Sequence, residues 1–268
     1  MGRYGARWEG ILGSFLEVQV HVPPWKAQRV FQAILREVQR LEGLFSRHRE
    51  SELTRLVRQG GGRPSPEMRE VLATALALQE ATGGAFHPAP FHGGEALRFR
   101  GDEVEVLAPL DLDGLAKGYI ADRATQAAIQ AGARSALVNL GGDLARLGPG
   151  KAEVGVEQPL GPDNTPPIFV LHLEQGGVAT SGIRHKGRHL LDPRVGQPAQ
   201  GLQAAVQASS ALLADGLAKA LFVLGPEGFP VLQAFGARGL LLTPQGPLTG
   251  PHVGGNHAET LLKPQESF

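Results

Sequence analysis

The residues from Ser14 to Val22 alternate strictly, with Leu16, Val18, Val20 and Val22 on one side and Glu17, Gln19 and His21 on the other. Successive strand side chains point to opposite faces, so this pattern predicts a strand with one buried face. Pro23 and Pro24 end it, because proline cannot donate to a ladder. The period then lengthens. Val30, Ile34, Val38 and Leu41, supported by Phe31 and Leu35, mark one face of a helix running to about Leu44, with Arg, Gln and Glu on its outer face. Ser51, in a polar stretch, has the character of a helix N-cap. Ser65-Pro66-Glu67 opens a further helix that stops at Thr82-Gly83-Gly84.

Beyond Gly101 the apolar runs shorten. Strands are predicted around Val104 to Leu107 and Ser135 to Asn139, with a helix from about Leu115 to Ala131 between them. Further strands are predicted at 152–157, 167–173, 203–208 and 239–243, and helices at 210–223 and 227–235. This order is not a regular strand–helix alternation, so it favours an α+β fold of mixed sheets with packed helices over a doubly wound parallel sheet. A single domain over residues 10–250 is expected, followed by a Pro- and Gly-rich tail over 251–268.

Composition narrows the function classes. The chain has 268 residues, enough for a substantial core. Its 26 basic and 26 acidic residues cancel without a Lys/Arg-rich block, which argues against nucleic acid as a partner. There is no cysteine, which removes disulfides, thiolate zinc sites, a Cys nucleophile and a lipidated Cys. No run of about 18 apolar residues predicts a membrane span. The first residues carry Arg3, Arg7 and Glu9 without a long apolar segment behind them. A cytoplasmic location is therefore expected.

Several familiar motifs fail on their chemistry. Gly148-Pro-Gly-Lys151 lacks the spacing and the hydroxyl of a phosphate loop. Asp111 to Asp122 has the length of a calcium loop, but places Leu115 where an oxygen ligand is needed and Ala116 where glycine is needed. His185 and His189 have a metal-like spacing, yet Arg184, Lys186 and Arg188 surround them and would oppose a divalent ion. A basic loop, suited to an anion, is the better reading of that segment.

Four segments taken together are more specific. Asp111-Leu-Asp-Gly-Leu-Ala-Lys-Gly-Tyr-Ile-Ala-Asp122 is followed by Asn139-Leu-Gly-Gly-Asp143. Ala179-Thr-Ser-Gly182 and His189-Leu-Leu-Asp-Pro-Arg-Val-Gly196 come next, and then Ala214-Asp-Gly-Leu-Ala-Lys-Ala-Leu-Phe222. In order and spacing they resemble the FAD:protein FMN transferases, once described as thiamine-biosynthesis lipoproteins. Weaker matches at Phe45-Ser46, Ser51-Glu-Leu53 and Gly84-Ala-Phe86 extend the resemblance over roughly residues 10 to 245. Taken singly, these residues also have plain structural readings: Asp111 and Asp122 could cap or flank the helix between them, Gly141 and Gly142 could merely turn the chain, and Asp215 with Lys219 could be a simple helical ion pair.

The resemblance implies a T-fold-like flavin-transferase architecture and a Mg²⁺-dependent cut of the FAD pyrophosphate. The FMN half would pass to a Thr or Ser of an unidentified acceptor protein, and AMP would leave. By position, the implied flavin contacts fall on Leu12, His48, Ala85, Phe86, His87, Asp111, Lys117 and Leu190, with Thr180 and Ser181 in the segment that precedes the basic loop. The implied metal contacts fall on the backbone near Gly114, on the Asp215 carboxylate and on residue 219. His189 falls beside the reacting pyrophosphate, as base or phosphate ligand, and with Asp215 makes up the implied catalytic pair. This chain departs from the family pattern with Lys219 in place of Thr, His48 in place of Tyr, His87 in place of Asp, and Leu12-Gly13-Ser14 in place of Met-Gly-Thr. An ammonium has no lone pair with which to ligate Mg²⁺. The resemblance therefore also leaves two alternatives, an FAD-binding relative without turnover and an FAD pyrophosphatase.

Overall fold

In the computed structural model, residues 1–160, 165–183, 190–199 and 201–250 are described. The alternating segment is a strand, β2 (Ser14–Val22), paired antiparallel with β1 (Gly2–Ile11). The predicted helix is α1 (Ala27–Phe45), and every member of its apolar stripe from Val30 to Leu41 at intervals of three or four is fully buried. Each such side chain contributes roughly 1.5–3 kcal/mol relative to exposure.

Ser51 does cap a helix, α2 (Glu52–Gln59), in a capping box: its hydroxyl accepts from Thr54 N, and Ser51 N donates to the Thr54 hydroxyl. The chain then runs through β3 (Gly61–Gly62), α3 (Pro66–Ala81) with Ser65 as its cap, β4 (Leu97–Arg100) and β5 (Glu103–Val106). Strands β3, β5 and β4 form a small separate sheet.

The second half contains α4 (Ala116–Gln130), β6 (Ser135–Leu140), β7 (Asp143–Leu147), β8 (Ala152–Val156), β9 (Phe169–Leu173) and β10 (Gly176–Gly182). These are followed by a two-stranded pair, β11 (Leu191–Asp192) and β12 (Gln197–Pro198), then β13 (Gln203–Ala208) and α5 (Ala211–Leu224). Last come α6 (Phe229–Ala234), β14 (Arg238–Thr243) and β15 (Gly246–Gly250). The segment predicted as one helix over 227–235 divides into a 3-10 turn at Gly225–Gly228 and the short α6. The predicted tail over 251–268 lies outside the described residues.

The framework is an eight-stranded antiparallel sheet in the order β1-β2-β6-β7-β10-β13-β14-β15. Alternation along its strands separates two cores. Val18, Val138, Ala179, Ala204, Val206 and Leu241 face the helical side, where α1, α3, α4 and α5 pack. Val178, Ala205, Leu240 and Leu242 face the other side, covered by Val154, Val156, Leu171 and Leu173 of the β8–β9 ribbon. Among the described residues no helix is long and apolar enough to cross a membrane.

Candidate active site

The site is assembled where the β6–β7 hairpin meets the first turn of α4 and the second turn of α5. Gly141 and Gly142 hold φ values of 63° and 98°, which a two-residue hairpin turn requires and side-chain-bearing residues resist. Gly142 N donates to Asn139 Oδ1 at 2.9 Å, closing the turn and setting Asp143 at the start of β7. The Asp143 carboxylate is buried and accepts a hydrogen bond from the ammonium of Lys117 in the first turn of α4. A Cβ on Gly141 would stand 2.6 Å from Ser14 Oγ, so the hairpin tip lies against the residue that opens β2. Just before it, Leu12 has a positive φ of 50°, an uncommon conformation for a non-glycine residue in the turn joining β1 to β2.

Helix α5 supplies the second ion pair. Lys219 donates from its ammonium to Asp215 Oδ1 one turn along the helix. The Lys219 stem passes so close to Gly114 that a Cβ there would stand 2.9 Å from Lys219 Cδ, 3.1 Å from Cε and 3.2 Å from Phe86 Cε2. Gly114, Phe86, Asp215 and Lys219 therefore occupy one place. The second carboxylate oxygen, Asp215 Oδ2, is buried without a hydrogen-bond partner.

The two pairs share one electrostatic environment. Burial alone would lower the Lys117 ammonium, but Asp143 and Asp215 outweigh it and hold the group above the ordinary lysine range. Burial pushes the Asp143 carboxyl above the ordinary carboxylate range; Asp215 adds to the rise, against the pull of Lys117 and Lys219.

Around this cluster, Asp111 accepts from Arg47 Nη1 at 2.5 Å and from its own loop at Asp113 N at 3.0 Å, while Arg47 Nη2 reaches Asp113 at 3.0 Å. Ala85 and Phe86 are buried; Phe86 N donates to the Thr82 hydroxyl at the end of α3. His87 is also buried, with both ring nitrogens engaged inside the chain: Nδ1 accepts from Ala89 N and Nε2 donates to Gly94 O, each at 2.9 Å. His48 is exposed, Leu12 and Leu190 are half-buried, and on β10 Thr180 is exposed and Ser181 buried. His189 and the basic segment 184–188 lie outside the described residues.

The structure thus unites Phe86, Gly114, Asp215 and Lys219, and joins Lys117 to them through Asp143. Two participants take no role that the motifs assign. Asp143 ends the Asn139-Leu-Gly-Gly motif, and a carboxylate directly after a turn pinned by two glycines was the available signal. Arg47 gave no signal, because its partners lie far along the chain.

The residues at the implied metal positions do not fit a divalent cation. Mg²⁺ requires near-octahedral oxygen ligation, but each buried carboxylate here is already paired with a lysine. Among the described residues no group of three His, Cys, Asp or Glu side chains could hold a metal ion. The buried, unpartnered Asp215 Oδ2 belongs to a carboxylate that pairs with the Lys219 ammonium and also acts on that of Lys117, and both positive charges would repel an incoming cation.

Comparison with known proteins places the chain in a family. A FAD:protein FMN transferase of Treponema pallidum is 29% identical over 287 residues, covering 83% of this chain and 79% of its own length. One from Haemophilus influenzae is 30% identical over 132 residues, covering 44% of this chain and 38% of its own. The crystal structure of the ApbE protein from Thermotoga maritima matches with a TM-score of 0.81 at 27% identity, covering 93% of this chain and 96% of that one. The flavin transferase ApbE from Vibrio cholerae shares the fold, with a TM-score of 0.75 at 20% identity over 93% of this chain and 96% of its own. The model of the ApbE family matches residues 12–105 and 97–237, a span that runs from the β1–β2 turn to the doorstep of β14 and holds the whole Asp143, Lys117, Asp215 and Lys219 cluster, and the chain accordingly belongs to this family of transferases.

Proposed function

We propose that this chain is an FAD:protein FMN transferase. An acceptor Thr or Ser hydroxyl attacks the phosphorus on the FMN side of the FAD pyrophosphate. The phosphorus–oxygen bond to the bridging oxygen breaks, AMP leaves with that oxygen, and FMN remains joined to the acceptor as a phosphoester. The hydroxyl proton must leave as the new bond forms, and His189 is the proposed base or phosphate ligand at that point.

The observation that carries the reading is the buried two-carboxylate, two-lysine cluster, formed by three of the motif segments that the chain shares in order with the transferases. Each ammonium has three donors and, among the described residues, gives one to its carboxylate, so others are available to phosphate oxygens. Phe86, buried beside Gly114, gives this charge an apolar backing. Leu12, His48, Ala85, His87, Asp111, Thr180, Ser181 and Leu190 are the proposed further contacts to FAD. The resemblance carries Mg²⁺ with it, but no step here is assigned to the metal, because its ligand positions do not fit one.

The Lys219–Asp215 pair also favours a second reading, an FAD-binding relative without turnover. Purified protein incubated with FAD and an acceptor carrying a Thr or Ser target separates the two. Release of AMP together with flavin fluorescence on the acceptor is the expected result. Tight FAD binding without AMP would establish the second reading, and AMP without labelled acceptor would indicate hydrolysis of FAD or the wrong acceptor.

A further inference from the structure

The two ion pairs are built asymmetrically. The side chains of Asp143 and Asp215 are 3% and 2% exposed, whereas those of Lys117 and Lys219 are 27% and 24% exposed. The carboxylates lie inside and the ammonium groups lie outside them. A ligand arriving from solvent therefore meets two positive charges, and a metal ion would meet them too before reaching either buried carboxylate.

The cluster is also balanced. The two buried carboxylates and their two ammonium groups sum to zero, and Asp113, which also acts on Lys117, is itself paired with Arg47. A divalent cation added to this arrangement would leave excess positive charge beside buried groups, unless a lysine moved away or lost its proton. Lys219 is tied to Asp215 by its ion pair, and its stem runs over Gly114 near Phe86.

From this we infer that Lys219 stands where a divalent cation would otherwise serve, and that the chain binds its pyrophosphate ligand through the paired Lys219 and Lys117 ammonium groups without a metal. The inference rests on the reading of the chain as an FAD-binding transferase. It differs from that reading in concerning only which cation faces the phosphates. Asp215 is then a positioning residue, which holds the Lys219 ammonium at the surface of the cluster.

The test uses the full chain and reads binding rather than turnover. Calorimetric titration of MgCl₂ and MnCl₂ into wild-type protein and into Lys219→Thr, without FAD, asks directly whether a divalent ion binds. FAD affinity is then measured for both proteins in EDTA and in MgCl₂. Wild type should show no metal binding and an FAD affinity that changes less than about twofold between the two conditions. Lys219→Thr frees Asp215 Oδ1 and removes the opposing charge, so it should bind the divalent ion. In EDTA its FAD affinity should fall about tenfold or more, as expected on losing a charge-assisted contact, and MgCl₂ should recover it.

Metal binding by the wild type that is lost in Asp215→Asn would overturn the inference. So would a wild-type FAD affinity that depends on Mg²⁺, or a folded Lys219→Thr that ignores the metal. Circular dichroism of each variant establishes that it is folded before it is titrated. Should no form bind FAD, the transferase reading fails, while the metal titrations still decide whether Lys219 excludes a divalent ion.

Discussion

Asp122 illustrates how a single residue can escape a sequence reading. Its place at the end of the Asp111–Asp122 motif suggests a cap or flank for the helix between those residues. Instead it sits inside α4, and its carboxylate accepts Ala211 N and Leu212 N, each at 2.9 Å, at the start of α5. The partner helix is distant in sequence, so no local pattern could reveal this role. Replacing Asp122 by Ala leaves two N–H groups without their acceptor and should cost about 1–3 kcal/mol in urea unfolding. Burial pushes the Asp122 carboxyl up to about 6, against the lowering by its two backbone donors. A carboxyl raised on folding takes up a proton as the chain folds, so its contribution is fully present below the unfolded pKa near 4 and is lost as pH rises through 6. The stability advantage of wild type over Asp122→Ala should therefore be larger at pH 4 than at pH 7.5, and melting curves at the two values would show it. An advantage that grows with pH would mean that the two N–H donors, rather than burial, dominate this carboxyl.

At the scale of elements, the legible ones were those whose burial is periodic and one-sided. Leu16 to Val22 of β2 and the stripe of α1 announced themselves because each packs one face on the helical core. The missed strands have physical reasons for their silence. β1 is an edge strand whose side chains are only half-buried or exposed, interrupted by Gly2, Gly5 and Gly10. β10 begins Gly176-Gly177, which reads as a turn. In the fold a Cβ on Gly177 would stand 2.3 Å from Ala211 Cα, so the strand is glycine-bearing because α5 lies directly on it. Gly118 does the same from the other side, since a Cβ there would stand 2.2 Å from Ala211 O. Glycine within a helix costs about 1 kcal/mol relative to alanine. Here it permits the contact between α4 and α5. Gly118→Ala should accordingly destabilise, by about 3 kcal/mol in urea unfolding and against its better helix propensity, because backbone atoms cannot yield as a side-chain tip would. An alanine variant as stable as wild type would show that the helices separate at little cost.

For the molecule as a whole, the α+β class followed from the irregular order of elements, but the single eight-stranded sheet did not. Within it β7 and β10 pair across the inserted β8–β9 ribbon, and β2 pairs with β6 across four α-helices. Long-range pairings of this kind leave no local trace. The site was legible as an ordered set of motifs, whereas the pairing of each carboxylate with a particular lysine was legible only for Asp215 and Lys219, one helical turn apart. The two-sided core predicts a gradient of protection. Amides of β7, β10 and β13, central in the sheet and covered on the helical side, should exchange with deuterium most slowly, and those of the separate β8–β9 ribbon faster, as mass spectrometry would resolve. Equal protection would mean that the ribbon opens only with the whole molecule.

The pinch at Ala211 has a thermodynamic consequence. Helix α5 is fastened at its first turn by Asp122, Gly118 and Gly177, and it carries Asp215 and Lys219 in its next turns. The fastening and the ligand-facing turn thus belong to one stiff rod. Any ligand that binds more tightly when the rod is seated must strengthen the seating by the same factor, because linkage between two sites is reciprocal. Asp122 never needs to touch that ligand to influence how tightly it is held.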